Sequence, residues 1–200
     1  RSTLYDVNGL QIGAFQRENA QRTVLSSVPS EVVSAILAVE DDVFMNHDGV
    51  NLRAIARALL SNSQGGARQG ASTITQQVAK NEFLGGSISD GRTKILQARY
   101  ATMLEKLLTK EEILERYVNT VYFGNNAYGL AAAAETYYGK SVGELNLIEG
   151  AFIAGLVQAP STYDPFSTNG YKSYSVRKRY KIVLGRLVDE GLITPDEANA

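Results

Sequence analysis

The fold is decided by an apolar run that ends in three consecutive carboxylates, Val32-Val33-Ser34-Ala35-Ile36-Leu37-Ala38-Val39-Glu40-Asp41-Asp42. Pro29 precedes the run, and Ser30 and Glu31 supply a candidate N-cap and an acidic first turn. Apolar residues at this density favour a buried helix, which we expect from Ser30 to about Asp42. The chain is therefore expected to bury this helix and to present carboxylates at its carboxyl end.

The residues around Glu40 and Asp41 are compatible with a catalytic site and also with an ordinary helix end. Phe44 and the single histidine of the chain, His47, follow within a few residues. Burial of a carboxylate is costly, and the same burial raises its pKa and suits it to act as an acid or a base. A solvated helix end with a hydrogen-bonded histidine explains the same residues. From this stretch alone, both interpretations stay open.

Composition and charge narrow the classes of function. The chain has 200 residues, of which 44% are hydrophobic and 20% charged, and these values suit one globular domain. Its net charge of −1 gives no overall field for nucleic acid, so no nucleic-acid partner is expected. The absence of Cys excludes disulfides and zinc–thiolate sites, and a single His excludes a two-histidine metal site. An anion site must therefore come from local clustering of charge.

The remaining sequence predicts a mainly α domain with about eight to ten helices and little sheet. Asn8-Gly9 between apolar runs indicates a small N-terminal β ribbon, and we assign residues 1–28 to this ribbon and a linker, and 29–200 to the main domain. Glycine-rich segments at 63–70 and 85–91 predict loops. A helix of small residues is expected at 127–138, and Gly139 should end it.

A polar helix that starts near Ser72 is the second candidate for function. Ser72, Gln76 and Lys80 lie on one stripe of this helix, at i, i+4 and i+8, and a glycine-rich loop precedes it. Backbone donors at a helix start, with hydroxyls and a lysine nearby, suit an oxygen-rich or anionic ligand. An ordinary solvent-facing helix with polar side chains is the alternative.

Basic residues after the second glycine-rich loop extend this cluster. Arg92, Lys94 and Arg99 follow the loop, and Gln97 lies one helical turn from Lys94. Together with Lys80 they can form a local cationic cluster in a chain that is nearly neutral overall. Surface charges at the start of a helix explain the same residues equally well.

Together these stretches resemble the bacterial peptidoglycan glycosyltransferase domain, which occurs in class A penicillin-binding proteins and in monofunctional peptidoglycan polymerases. The first family motif, Glu-Asp-x-x-Phe-x-x-His-x-Gly, stands at residues 40–49. The second, Gly-x-Ser-Thr-Ile-Thr-Gln-Gln followed by Lys-Asn, stands at 70–81. The fourth, Lys-x-Glu-Ile-Leu-Glu-x-Tyr-x-Asn, stands at 110–119, and the fifth matches across 124–140. The motifs occur in the family's order.

The third motif departs from the family pattern, Arg-Lys-x-x-Glu. Aligned back from Glu105, the chain reads Thr93-Lys94-Ile95-Leu96-Gln97. The lysine is kept, an arginine occurs one place early as Arg92, and Gln97 stands where the family has its second glutamate. Glutamine cannot act as an acid or a base, and it is a weak metal ligand.

The chemistry of the leaving group decides how much this departure matters. A glycosidase expels an alcohol and needs a carboxylic acid to protonate it, hence its two carboxylates. A lipid diphosphate is already a good leaving group, and it needs cations or a metal ion to neutralise developing charge. The acceptor hydroxyl still needs a base. One carboxylate and a cationic cluster are thus sufficient for glycosyl transfer from a diphosphate and inadequate for glycosidic hydrolysis.

The resemblance implies a lysozyme-like, two-lobed helical fold that polymerises lipid II into β-1,4-linked glycan strands, with inversion at the donor MurNAc C1 and release of undecaprenyl diphosphate. It implies Glu40 as the general base toward the acceptor GlcNAc 4-hydroxyl. Lys80 and Lys94, with Arg92 or Arg99, are expected to hold the donor diphosphate. The other predicted site residues should bind sugar and phosphate or brace the groove; they are Asp41, Phe44, His47, Gly70, Ser72, Thr73, Gln76, Gln77, Asn81, Gln97, Glu112, Tyr117 and Asn119.

The resemblance also implies partners and a location. The partners are lipid II, the growing glycan strand, the bacterial plasma membrane and a moenomycin-type inhibitor in the groove. No residue is assigned as a metal ligand, although a divalent cation, Mg²⁺ or Mn²⁺, at the diphosphate stays open. The location is the extracytoplasmic face of the plasma membrane, with an N-terminal transmembrane anchor that is absent from this chain.

Two other functions are compatible with the sequence, and one loop is a candidate for movement. A lysozyme-like glycan hydrolase would need a second carboxylate facing Glu40. A catalytically impaired glycan- or lipid-binding domain would follow if Gln97 abolishes activity. The segment 85–91 is a candidate mobile flap over the groove or against the bilayer.

Overall fold

A small β ribbon opens the chain. The computed structural model describes residues 2–9, 11–15, 19–55, 72–85, 91–166 and 172–199. Strand β1 (Ser2–Tyr5) pairs antiparallel with β2 (Gln11–Phe15), as the Asn-Gly turn predicts, and Gly9 in this turn has a φ of 82°. Strand β3 (Asn19–Ala20) pairs in parallel with β4 (Ala127–Tyr128) and so attaches the N-terminal segment to the helical body.

Helices form most of the remaining described chain. In chain order they are α1 (Ser30–Glu40), α2 (residues 52–55), α3 (Ile74–Phe83), α4 (Gly91–Leu107), α5 (Lys110–Thr120), α6 (Leu130–Tyr138), α7 (Leu147–Leu156), α8 (Pro160–Tyr163), α9 (Lys172–Asp189) and α10 (Pro195–Asn199). The mainly α fold class is therefore confirmed. None of the helices within the described ranges combines the length and the apolar character that crossing a bilayer requires.

Helix α7 lies against both α1 and α9 because it carries glycines at its two contacts. A Cβ atom at Gly150 would lie 2.7 Å from Val32 Cγ1 of α1, and one at Gly155 would lie 3.0 Å from Val183 Cγ2 of α9. Both distances are shorter than ordinary van der Waals contact. The close approach brings the carboxyl end of α1 and the inner face of α9 to the same region of the molecule.

A second group of helices packs beside this one and shares its hydrophobic core. Helix α3 contacts α4 and α5, and the fully buried Ile74 and Val78 of α3 pack in the same apolar cluster as Ala101 of α4 and Ile113 of α5. The polar helix predicted near Ser72 is thus amphipathic, with one face in the core. Its other face lies beside the end of α1.

The start and end of α1 differ from the expected bounds. The helix ends at Glu40, because Asp41 adopts extended backbone angles (φ −160°, ψ 79°) and its side chain is used elsewhere. At the other end Pro29 is the N-cap, and Ser30 lies inside the helix without capping it. Pro29 has no side-chain acceptor, so the first turn lacks a side-chain cap.

Two further helix starts are displaced by local hydrogen bonds. Helix α3 begins at Ile74, not near Ser72, because Thr73 is its N-cap and forms a capping box with Gln76. The helix expected at 127–138 begins at Leu130, because Ala127 and Tyr128 pair as β4. Gly139 ends that helix in the left-handed region (φ 63°), as predicted.

Several predicted features lie outside the described residues. They are the whole loop at 63–70, which includes Gly70, the core of the candidate flap at 85–91, and the distal half of the helix expected after Asn51.

We expect Gly150→Ala to lower the free energy of unfolding by about 1–3 kcal/mol, the usual cost of overpacking. The added methyl would collide with Val32 and push α1 away from α7. Gly185→Ala is the matched control, because this helical glycine of α9 has open space around its Cβ position and should gain about 0.5–1 kcal/mol. Urea unfolding of both variants measures the difference. Equal stability of Gly150→Ala and the wild type would show that α1 and α7 can separate at little cost.

Candidate active site

Glu40 lies at the floor of a cleft, where α1 ends. Its side chain is 9% exposed; Gln77 Nε2 donates a hydrogen bond to its Oε2 at 2.8 Å, and Arg179 Nη2 lies 3.9 Å from its Oε1. The cleft has a volume of about 260 Å³. The described residues that line it are Val39, Glu40, Ser72, Gln77, Lys80, Gln97, Val157, Gln158, Arg179 and Arg186.

Burial raises the pKa of Glu40 above the usual value of a glutamate, and this is the largest influence on it. The hydrogen bond from Gln77 and the positive charges of Arg179 and Arg186 act in the opposite direction, while the charge of Asp41 adds to the rise. The carboxylate is therefore desolvated and still surrounded by groups that favour its ionised form. A carboxylate in these surroundings is a candidate general base.

Lys80 of α3 and Lys94 of α4 place positive charge on one side of the cleft. Lys94 Nζ donates hydrogen bonds to Ser72 Oγ at 2.7 Å and to Gln97 Oε1 at 2.8 Å. Burial lowers the pKa of both lysines; the charge of Glu40 partly offsets this for Lys80, and the charge of Lys80 adds to it for Lys94. Both ammonium groups can form charge-assisted hydrogen bonds to an anion on this side of the cleft.

Arg179 and Arg186 place positive charge on another side, and the sequence analysis missed both. They lie seven residues apart on α9, on the face that also buries Val183. Arg179 Nε donates to the carbonyl of Gly155 at 2.8 Å, and Arg186 donates to the carbonyl of Val39. The detectable signal was Arg179, four residues before Val183 on the apolar stripe of α9; Arg179 is buried, whereas Arg186 is exposed.

Asp41 and His47 lie behind the cleft rather than in it. The Asp41 carboxylate is 2.9 Å from His47 Nε2 and accepts a hydrogen bond from the backbone N–H of Ile74 at 3.0 Å. The Gly49 N–H donates to His47 Nδ1 at 3.1 Å. This arrangement joins the end of α1 to the start of α3, and so it positions Glu40 relative to Gln77.

A second ion pair braces the same loop from the side of α4 and α5. Lys110 Nζ lies 2.8 Å from Glu105 Oε2, donates to the His47 carbonyl at 2.6 Å and sits 4.4 Å from the centre of the Phe44 ring. Thr75 Oγ1 donates to Glu105. Phe44 is 1% exposed, so the structure assigns it a packing role in place of the predicted substrate contact.

Thr73, Gln76 and Glu112 form hydrogen bonds that cap helices; the sequence predicted that Thr73 and Gln76 bind sugar and phosphate and that Glu112 braces the site. Thr73 Oγ1 donates to the Gly49 carbonyl at 2.7 Å and accepts from the Gln76 N–H, while Gln76 Oε1 accepts from the Thr73 N–H. Glu112 Oε2 accepts from the Thr109 N–H at the start of α5. Because these polar atoms are already hydrogen-bonded, the three side chains hold helix ends.

Tyr117 and two asparagines also lie outside the lining of the cleft. Tyr117 is 1% exposed, and its hydroxyl has no hydrogen-bond partner among the described residues. Asn119 exchanges two hydrogen bonds of 2.8 Å with the backbone of Thr23, and Asn81 Nδ2 lies 3.5 Å from the carbonyl of Thr120. These contacts tie α5 to the N-terminal segment and to α3.

Arg92 and Arg99 lie on the exposed face of α4 and do not line the cleft. Gln97 occupies the opposite, inner face of the same helix, and Lys94, which is itself exposed, donates hydrogen bonds to Gln97 and Ser72, both of which line the cleft. Of the four cations predicted to hold a diphosphate, the structure therefore places Lys80 in the cleft and Lys94 at its edge. Their partners there are the unpredicted arginines of α9.

The donor set of the cleft does not fit a metal ion held by the protein. Among the residues that the structure describes, no group of three or more His, Cys, Asp or Glu side chains is placed to hold one. The cleft offers one carboxylate, neutral amides and several cations, whereas Mg²⁺ and Mn²⁺ prefer carboxylate-rich oxygen sites. We derive no chemical step through a metal.

Comparisons with known proteins agree on the kind of domain. A family model described as transglycosylase matches residues 8–188. Penicillin-binding protein 1A from Haemophilus influenzae is 43% identical over 98% of this chain, and the one from Escherichia coli K12 is 43% identical over 97%. The chain spans only 23% and 22% of the length of these relatives.

A solved structure supports the same fold. The crystal structure of the Haemophilus influenzae penicillin-binding protein 1A superposes with a TM-score of 0.51 and 26% identity, over 99% of this chain and 19% of that one. The structural superposition pairs fewer identical residues than the sequence alignment to the protein of that name. The chain is thus related in sequence to these proteins and shares their lysozyme-like helical fold.

We expect Arg179→Met to raise the pKa of Glu40 further, because removal of a nearby positive charge disfavours the carboxylate. Carbon-13 NMR of labelled glutamate, assigned with Glu40→Gln, measures this pKa directly. Arg177→Met on the exposed face of α9 is the matched control and should leave it unchanged. Arg179→Lys should give an intermediate value. If Arg179→Met folds and leaves the pKa of Glu40 unchanged, Arg179 does not influence the ionisation of Glu40.

Proposed function

We propose that this chain, which belongs to the transglycosylase family, is a peptidoglycan glycosyltransferase domain that polymerises lipid II into β-1,4-linked glycan strands. One observation carries the proposal: Glu40 is the only carboxylate that the described residues contribute to the cleft, and cations flank it on two sides. This is the group set that transfer from a sugar diphosphate requires. The chain spans less than a quarter of these relatives' length, so the activity is proposed for this domain alone.

Glu40 is the general base of the proposed reaction. It accepts the proton of the acceptor GlcNAc 4-hydroxyl as that oxygen attacks C1 of the donor MurNAc. The new O4–C1 bond forms on the face opposite the leaving group, so the C1 configuration inverts. Its desolvated position and raised pKa suit it to take up this proton, while the Gln77 hydrogen bond fixes which oxygen faces the cleft.

Lys80 and Lys94 stabilise the leaving group. The bond from C1 to the diphosphate oxygen breaks, and negative charge develops on the departing undecaprenyl diphosphate. Partly buried ammonium groups neutralise this charge more effectively than solvated ones, because little water screens them. A moenomycin-type inhibitor is proposed to bind in the same cleft.

A lysozyme-like hydrolase is the less suitable function for this cleft. Hydrolysis needs a second carboxyl group across from Glu40 to protonate the departing sugar. The chain has Gln97 at the position of the family's second glutamate, and Gln97 lines the cleft. Apart from Glu40, the other polar lining side chains are amides, a hydroxyl and cations. The described part of the cleft therefore favours transfer from an activated donor.

The outer face of α4 is proposed to contact the bacterial plasma membrane. Leu96, Met103 and Leu107 are 42–75% exposed on this face, and Arg92 and Arg99 lie among them. Exposed apolar side chains with interspersed cations suit the surface of an anionic bilayer. We accordingly propose an extracytoplasmic location at the membrane.

We expect wild-type protein with purified lipid II to produce glycan polymer and Glu40→Gln to lose it by at least about a hundredfold, the usual contribution of a general base. Gel separation of labelled products measures both. Asp42→Asn, an exposed neighbour, is the control for a lost carboxylate and should keep activity. Glycan digestion in place of polymer formation would support the hydrolase. Absence of polymer with intact lipid II binding would support the impaired domain.

We expect Met103→Ser with Leu107→Ser to weaken binding to vesicles that contain anionic phospholipid, because two exposed apolar side chains leave the bilayer surface. Co-sedimentation with vesicles measures the bound fraction. Val24→Ser changes an exposed apolar residue elsewhere on the chain and should bind like the wild type. If all three proteins bind the vesicles equally, the outer face of α4 does not contact the membrane.

A further inference from the structure

The role of Gln97 in the cleft is not evident from the sequence, where it stands at the position of the family's second glutamate. It is 1% exposed, although it lies on α4 at the edge of an open cleft. A fully buried amide must satisfy both its donor and its acceptor. Its two hydrogen-bond partners therefore indicate what it does.

The two ends of the Gln97 amide face different elements. Its Nε2 donates to the backbone carbonyl of Gln76 in α3 at 2.7 Å, and its Oε1 accepts from Lys94 Nζ at 2.8 Å. The bond to α3 leaves Oε1 as the end available to Lys94. The lysine is thus held by a side chain that is itself fixed to the neighbouring helix.

From this geometry we propose that Gln97 is a positioning residue, which holds the Lys94 ammonium toward the cleft without neutralising it so that a diphosphate can bind there. The proposal rests on the proposed function for the identity of the anion. It does not require Gln97 to touch the substrate.

A carboxylate in this position would act differently in two respects. An ionised carboxylate has no proton to donate to the Gln76 carbonyl, so that carbonyl would face a negative charge. The same carboxylate would pair with Lys94 and cancel the charge that attracts the anion. Because the only other described acceptor of Lys94 is the neutral Ser72 hydroxyl, the glutamine leaves the ammonium with its full charge.

The surroundings of Lys94 leave this charge without a competing ion pair. The charge of nearby Lys80 lowers the pKa of Lys94, so the two ammonium groups repel each other, and a bound anion would relieve this repulsion. No salt bridge among the described residues involves either lysine.

The first test follows Lys94 itself and needs no enzymatic activity. Lysines are dimethylated with carbon-13 formaldehyde, and the Lys94 signal is assigned with Lys94→Arg and titrated by NMR. We expect Gln97→Glu to raise the pKa of Lys94, because a carboxylate favours the ammonium, and Gln97→Met to lower it, because the charged form loses an acceptor. Asn199→Asp adds the same charge at an exposed site of α10 and should leave it unchanged.

The second test follows anion binding and turnover. We expect Gln97→Glu to bind inorganic pyrophosphate about tenfold more weakly by calorimetry, with the loss reduced at high salt. In polymerisation the same variant should raise KM for lipid II more than it lowers kcat. Ser72→Ala removes the other acceptor and supplies a second folded variant if Gln97→Met does not fold.

The outcomes separate this proposal from the proposed function. If the pKa of Lys94 and pyrophosphate affinity respond as stated while the wild type makes no polymer, Gln97 positions Lys94 but the domain is not a polymerase. If Gln97→Glu binds pyrophosphate as tightly as the wild type or polymerises faster, the positioning role is overturned. The same conclusion follows if Gln97→Glu and Gln97→Met lower only the melting temperature and leave the pKa of Lys94 unchanged.

Discussion

The buried carboxylate of Asp41 is the constraint on which the cleft depends. It ends α1 by leaving the helical conformation, accepts from the first N–H of α3, and pairs with His47. A negative charge at a helix N-terminus is favourable, and burial makes the hydrogen bonds costly to lose. Since α1 carries Glu40 and α3 carries Gln77, this one side chain sets the distance between the buried carboxylate and its hydrogen-bond donor.

Charge balance in the cleft follows from that placement. A desolvated carboxylate needs compensation, and here the compensation is divided: Gln77 contributes a neutral hydrogen bond, and Arg179 lies at 3.9 Å, beyond hydrogen-bond distance. Direct pairing at short distance would stabilise the ionised Glu40 and make it a poor base. On the other side of the cleft, neutral oxygen atoms hold Lys94, so no carboxylate there neutralises its ammonium group.

Local patterns predicted much of the fold and about half of the candidate site. Helix periodicity, the Asn-Gly turn and Gly139 depend on nearby residues, and they were interpreted correctly. Thr73 and Gln76 were assigned to substrate although Thr-x-x-Gln is a capping-box pattern, which was visible in the sequence. Glu112, which was assigned mainly a bracing role, belongs to the Thr-x-x-Glu capping box of α5. Arg179 could not be connected to Glu40, because 139 residues separate them and only the packing of α9 brings them together. Motif resemblance locates positions but does not distinguish a residue that faces the cleft from one that supports it.

Helix α7 has a consequence for how the domain can vary. Its glycines lie against α1 at one contact and against α9 at the other, and the carbonyl of Gly155 holds the guanidinium that faces Glu40. The helix therefore works as a spacer, and its bare backbone sets how far apart the base and its counter-charge lie. A side chain added at Gly150 or Gly155 would push α1 or α9 away from α7 and so increase the distance between Glu40 and Arg179. The acid–base strength of the cleft is thus coupled to the diameter of a helix that contributes none of its charged groups.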